Sequence, residues 1–166
     1  MKAPQDRQYQ AIVSAPGFAI GVCCDDDEIT GLDFLPQQPE IAPATPLAAE
    51  AVRQVRAYLA DPGFEFALPL RPAGTPFQRR VWGRISDIPL GEALTYGEVA
   101  KRLHNAPRAV GQACGANPYP LAVPCHRVVA TGGGLGGFAR EGGGLLLDIK
   151  RWLLRHEGYE IGRPAG

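Results

Sequence analysis

The stretch VPCHRVV, Val123 to Val129, sets a cysteine between a proline and a histidine inside an apolar run. A thiol attacks only as the thiolate, and an unperturbed pKa of about 8.5 leaves little of it ionised at neutral pH. A cationic or proton-accepting neighbour raises that fraction, and His126 and Arg127 follow Cys125 directly. Adjacent side chains on an extended chain point apart, so His126 would take the proton through a bridging water. A buried structural thiol fits the same residues, and the stretch alone leaves both readings open.

Other residues capable of chemistry give weaker patterns. The four cysteines, Cys23, Cys24, Cys114 and Cys125, show no CxxC spacing, and with three histidines no zinc quartet can be read along the chain. No metal and no cofactor is expected, and in a reducing compartment the thiols are free. Asp25-Asp26-Asp27-Glu28 has no second acidic cluster to complete a cation site and reads as a solvated turn. Residues 131 to 144, TGGGLGGFAREGGG, hold eight glycines, which predicts a loop. Neither the GxxxxGK[ST] nor the strand-GxGxxG-helix context of a phosphate loop is present.

A chain of 166 residues can bury a real core and lies near the boundary between one domain and two. No apolar run is long enough for a membrane helix, and the start, MKAPQDRQYQ, has no signal-peptide core, so a cytoplasmic protein without membrane contact is expected. The net charge of zero conceals an asymmetry. The first seventy residues carry four Lys/Arg against ten Asp/Glu, and the remainder thirteen against seven. The basic half is the half with VPCHRVV, which makes nucleic acid a candidate partner without requiring it.

The elements that must position the cysteine follow from periodicity. Tyr9, Ala11 and Val13 alternate, Ser14-Ala15-Pro16-Gly17 reads as a turn, and Phe18, Ile20 and Val22 alternate again, a hairpin signal; Ile29 to Leu35 supplies a third strand. Thr45-Pro46 starts a helix with Ala48, Val52, Val55 and Leu59 inward, stopped by Asp61-Pro62-Gly63. The breaker-rich segment up to Gly74 predicts a linker at 71–74 between a domain over 1–70 and another over 75–166. Thr75-Pro76 opens a second helix carrying Phe77, Val81, Ile85 and Ile88. Thr95-Tyr96-Gly97-Glu98 is a capping box, and Pro107 to Cys114 makes a further helix after a short turn. Two short helices so spaced suggest a helix-turn-helix, which many non-binding proteins also contain. A last helix places Leu146, Ile149 and Leu153 inward and ends at His156-Glu157-Gly158.

Taken in order, TPFQRRVW, IPLGEALTYGEVA, RAVGQACGANP, VPCHRVV and KRWLLRHEG resemble the O6-alkylguanine-DNA alkyltransferases. The resemblance covers the whole C-terminal half in five ordered blocks. The N-terminal half is similar to that family's ribonuclease-H-like domain more loosely, through its strands-then-helix order and the FALPL segment. The fold class this implies is α/β (α+β). It has a three-stranded antiparallel sheet plus helix, followed by a mainly helical, winged-helix-like domain with the PCHR cysteine.

The activity implied is a DNA repair transfer. The cysteine takes the alkyl group from O6 of guanine, and also from O4 of thymine, in double-stranded DNA. The thioether formed is permanent, so each monomer reacts once. By resemblance Cys125 is the nucleophile, His126 the base acting through water, Glu157 its orienting carboxylate, and Asn117 a brace for the cysteine turn. Tyr96 would donate a proton to the leaving purine beside the flipped base, whose extrusion costs stacking energy. Arg108 would insert into the gap from the minor groove, Ala109 and Gly111 would let the helix approach DNA, and Thr131 would touch DNA near the lesion.

The chain departs from the family pattern in two places. The turn HNAPRAVG is shorter than usual, and beyond the cysteine Phe138 replaces a tyrosine before the longer AREGGGLLLDIK. Three rival readings have their own signatures. A lesion-sensing relative binds alkylguanine without transfer and lacks the cysteine. A Cys-His hydrolase turns over an ester. A plain helix-turn-helix regulator tolerates loss of Cys125.

Overall fold

The computed structural model describes residues 8–131, 134–135 and 144–161. The chain divides into two compact units, Met1–Pro72 and Ala73–Gly166. It is a mixed α/β protein.

In the first unit, β1 (Ala11–Ala15), β2 (Phe18–Cys24) and β3 (Ile29–Pro36) form an antiparallel sheet in the order β1-β2-β3. The hairpin is tighter than the sequence suggests. Ser14 and Ala15 belong to β1, and Ala15 pairs with Phe18, so the turn is Pro16-Gly17 with Gly17 at φ 85°. That left-handed backbone favours glycine. Gly21 is small for another reason, because a Cβ there would meet the Tyr9 ring at 2.5 Å. Tyr9 packs over the buried Ile12, Ala19 and Leu35 and donates its hydroxyl to Asp33 at 2.7 Å.

Helix α1 (Pro46–Ala60) is capped by the Thr45 side chain, which accepts from Ala48 N at 3.2 Å. Its buried face includes Tyr58 where the sequence pointed to Leu59, which is half-buried. The stripe continues one residue earlier because Tyr58 packs on Phe66, with ring centroids 5.6 Å apart. In the acidic turn Asp25 Oδ1 accepts from Asp27 N and Glu28 N, and Arg71 pairs with Asp25 and Glu28. The breaker-rich segment does not leave the sheet at once. Ile29 N donates to Pro69 O and Arg71 N to Ile29 O, so Leu70 is bridged to the start of β3.

Among its described residues the second unit is helical around one two-stranded patch. Its helices are α2 (Pro76–Ser86), α3 (Tyr96–Arg102), α4 (Pro107–Gly115) and α5 (Leu145–His156). Both α2 and α3 begin with full capping boxes, Thr75 with Gln78 and Thr95 with Glu98. Each box satisfies amide groups that the first helical turn leaves open. A parallel pair the sequence did not suggest, β4 (Leu94–Thr95) with β5 (Val128–Val129), places the start of α3 beside the residues after the cysteine. In α5, Ile149, Lys150, Leu153 and Leu154 are buried, while Leu146 is only half-buried. Most of the glycine-rich stretch, with Phe138, lies outside the described residues.

Candidate active site

Cys125-His126-Arg127 forms a single 3-10 turn immediately before β5, rather than the strand the apolar run suggests. A tight turn rotates successive side chains away from one another. Cys125 and His126 are 3% and 1% exposed, so both sit in the interior with separate sets of partners.

The histidine is held by the end of α5. His126 Nε2 lies 2.7 Å from Glu157 Oε2, and the other carboxylate oxygen, Oε1, accepts from Arg127 Nε at 2.8 Å. Glu157 is the residue that ends α5; Gly158, at φ 83°, provides the left-handed step beyond it, and Tyr159 N returns to Leu154 O. Burial, more than any other influence, pushes the His126 pKa down, against the pull of Glu157. The ring is therefore neutral at neutral pH. With the carboxylate accepting at Nε2, the proton resides there and Nδ1 presents its lone pair. Nδ1 is buried and has no hydrogen-bond partner among the described residues. A neutral, oriented imidazole with a bare Nδ1 can accept a proton.

The sulfur has different neighbours. Asn117 Nδ2 donates to Cys125 Sγ at 3.3 Å and to Val123 O at 3.0 Å, while its Oδ1 accepts from Tyr119 N at 2.9 Å. One amide thus fixes the approach to the turn and offers a hydrogen bond that stabilises the anion. Arg127, expected as a cationic neighbour of the thiol, is committed elsewhere: besides Glu157 it donates to Ile88 O at 2.7 Å. The hydrogen bond with Cys114 first, and burial second, push the Cys125 thiol well above its ordinary pKa; Asn117 and the charge of Lys150 pull the other way. The resting protein therefore holds a thiol, and forming the thiolate would require a proton acceptor.

Two participants were missed in the sequence. Lys150 is fully buried, donates to Val128 O at 2.7 Å and reaches Tyr96 Oη at 3.5 Å. Burial pushes it down to about 8. A signal was available, since Lys150 falls on the buried stripe with Ile149 and Leu153, where an ammonium is otherwise expensive. The second is Cys114, on the buried face of α4.

Tyr96, at the first position of α3, is half-buried, and burial chiefly raises its pKa, so the phenol keeps its proton and can donate it. The turn between α3 and α4 places His104 at φ 54°. Arg108 is exposed near the N-terminus of α4; Ala109 and Gly111 are half-buried along it. Thr131 is exposed just beyond β5. The structure thus brings Cys125 to Asn117, His126 to Glu157, and Tyr96 to Lys150. Arg108 and Thr131 stand outside these bonded groups, on the surface.

The family model described as 6-O-methylguanine DNA methyltransferase, DNA binding domain, matches residues 76–159, the span that contains every one of these bonded groups. The chain belongs to that family. The methylated-DNA--protein-cysteine methyltransferase of Methanosarcina acetivorans is 39% identical over 158 residues, covering 90% of this chain and 98% of that protein. The constitutive methylated-DNA--protein-cysteine methyltransferase of Bacillus subtilis is 43% identical over 115 residues, 68% of this chain and 67% of that one. The crystal structure of Mycobacterium tuberculosis OGT in complex with DNA superposes with a TM-score of 0.73 at 36% identity, covering 89% of this chain and 91% of that one. The methyltransferase family likeness thus extends across both units.

Proposed function

We propose that this chain is a DNA repair protein that moves the alkyl group from O6 of a guanine in duplex DNA, and from O4 of thymine, to its own Cys125. It does so as a monomer, once per molecule. The observation that carries this reading is the neutral His126 held at Nε2 by Glu157, with Nδ1 bare, one residue along the same turn from the buried Cys125. The S–H proton passes through a water to Nδ1 while the sulfur attacks the alkyl carbon. The bond from carbon to O6 breaks, its electrons go to the purine, and the Tyr96 hydroxyl donates a proton to the leaving base. Asn117 stabilises the sulfur as it ionises. A thioether is not hydrolysed, so the cycle does not close.

DNA binding is assigned to α4. Arg108 would fill the gap left by the extruded base, with Ala109 and Thr131 beside the backbone. Gly111 supports this placement. A Cβ at Gly111 would meet nothing within 4 Å, so the protein's own packing does not demand glycine there. Gly111→Ala is expected to stabilise the fold by about 0.5–1 kcal/mol, since mid-helix glycine costs that much against alanine. The same variant should bind duplex more weakly. Denaturant unfolding and a duplex titration check the two halves, and unchanged binding would release Gly111 from the interface.

The direct test is mass spectrometry after incubation with a duplex carrying one O6-methylguanine. Trypsin releases Cys125 within residues 109–127. A gain of about 14 Da on Cys125 in that peptide, one methyl per protein, is expected. Binding with no mass change would make the protein a lesion sensor, and steady turnover of an ester would make it a Cys-His hydrolase. The family relatives favour neither alternative.

A further inference from the structure

Two thiols meet at this centre. Asn117 ties both to one point, its backbone N–H donating to Cys114 O at 3.2 Å and its side-chain amide to Cys125 Sγ at 3.3 Å; both are free cysteines, 8% and 3% exposed, and the Cys114 side chain lies within hydrogen-bonding reach of the Cys125 thiol. They come from different elements, α4 and the 3-10 turn, and each side of the contact is fixed. The Trp82 indole donates to Ala113 O at 2.8 Å, immediately before Cys114. Asn117, three residues after Cys114, binds both Val123 O and Cys125 Sγ. The Asn117 side chain thus holds Cys125 Sγ, and the Trp82 indole holds the α4 backbone next to Cys114.

A buried cysteine also packs as a small apolar side chain, which would be enough if it stood alone. Contact with a second thiol adds a chemistry. We propose that Cys114 is the resolving thiol of Cys125: when a peroxide oxidises Cys125, Cys114 closes a Cys114–Cys125 disulfide that a thiol reductant reopens. In the first step the Cys125 thiolate attacks one oxygen of the peroxide, giving the sulfenic acid, with hydroxide or alcohol leaving. In the second, Cys114 Sγ attacks that sulfur, the S–O bond breaks, Cys114 gives up its proton, and water leaves. The peroxide is the two-electron oxidant, and both sulfurs share the loss.

The consequence rests on the proposed function. A protein that spends its only nucleophile in one event loses everything if that sulfur proceeds to the sulfinic acid, which reductants do not reverse. A partner thiol in contact diverts the sulfenic acid before a second peroxide arrives. In the proposed reaction a purine must reach Cys125, and the same route would admit the far smaller peroxide. The groups acting on Cys125 are Cys114, Asn117, Lys150 and Tyr96, and the thiol is protonated at neutral pH, so the first step quickens in mildly alkaline buffer.

Both cysteines lie in the single tryptic peptide of residues 109–127, apart from Cys23 and Cys24. The full chain is treated with hydrogen peroxide at mildly alkaline pH, then with or without dithiothreitol, and digested after the remaining thiols are blocked. The wild-type peptide should lose about 2 Da and take up no blocking group. Methyl-acceptor activity should disappear with that change and return in large part on reduction. In Cys114→Ser and Cys114→Ala, each measured against its own untreated sample, the loss should persist after reduction, with about 32 Da added at Cys125. A wild-type peptide that gains oxygen without ever losing 2 Da overturns the proposal, as does full recovery of both variants by reductant. If untreated protein accepts no methyl group, the repair reading fails, yet the peptide mass still decides the disulfide.

Discussion

Cys125→Ala is expected to bind a duplex containing O6-methylguanine and to accept no methyl group from it, at any time or concentration. Sulfur supplies the only bond that forms in the proposed step, so this is a complete loss. Binding persists because the residues assigned to DNA, Arg108, Ala109, Gly111 and Thr131, lie on α4 and beyond β5. Stability should fall by no more than about 1–2 kcal/mol, the cost of a small buried void. Labelled-methyl transfer and a gel-shift titration on the same preparation check both. Label found on Cys114 of this variant would move the acceptor role to the neighbouring sulfur.

Glu157→Gln should have the next largest effect, because one buried carboxylate serves two partners, the buried His126 and the partly buried Arg127. The glutamine is nearly the same size, so no cavity confuses the result. Arg127 loses the charge that balances its guanidinium, and breaking a buried pair from one side costs about 3–5 kcal/mol. The amide keeps one acceptor oxygen where the carboxylate offers two, so Arg127 competes with His126 for it and the proton is no longer fixed on Nε2. Loss of an oriented general base lowers the transfer rate about 10²–10⁴-fold. Single-turnover kinetics and denaturant unfolding measure the two effects, and a variant that transfers at the wild-type rate would remove the His126–Glu157 pair from the mechanism.

The pair also sets a pH limit on the wild type. Burial depresses the His126 pKa in the folded chain. As pH falls below about 6.5, the unfolded histidine binds a proton that the folded one still refuses. Its contribution to stability is complete above that pH and declines below it, until the folded pKa is reached.

Much of this was legible in the chain, for reasons that differ by residue. Helix starts at Thr45, Thr75 and Thr95 were readable because capping is local chemistry, complete within four residues. The three strands were readable as short apolar runs bounded by turn residues, although β1 and β2 are buried on both faces rather than on alternate residues. The β4–β5 pair was not, since two residues opposite two others, some thirty positions away, leave no periodic trace. The cysteine, its histidine and Glu157 were found through ordered blocks of sequence, whereas their bonds could be seen only in three dimensions. Arg127 was misread because charge near a thiol in sequence need not be charge near it in space: the 3-10 turn sends the guanidinium to Glu157 and Ile88. Lys150 and Cys114 were overlooked because each occupies a buried helical stripe, where size and apolar stem conceal reactivity.

The hydrogen bond from the Trp82 indole to Ala113 O gives the molecule an optical property. Indole emission shifts in colour and intensity with the polarity and hydrogen bonding around the ring. Trp82 is 8% exposed and grips the carbonyl immediately before Cys114, on the helix that also bears Arg108. The second tryptophan, Trp152, stacks on the His156 imidazole 4.6 Å away, on a different helix. Native fluorescence in this protein therefore carries two addresses, and the buried one reads the α4 helix without any attached dye.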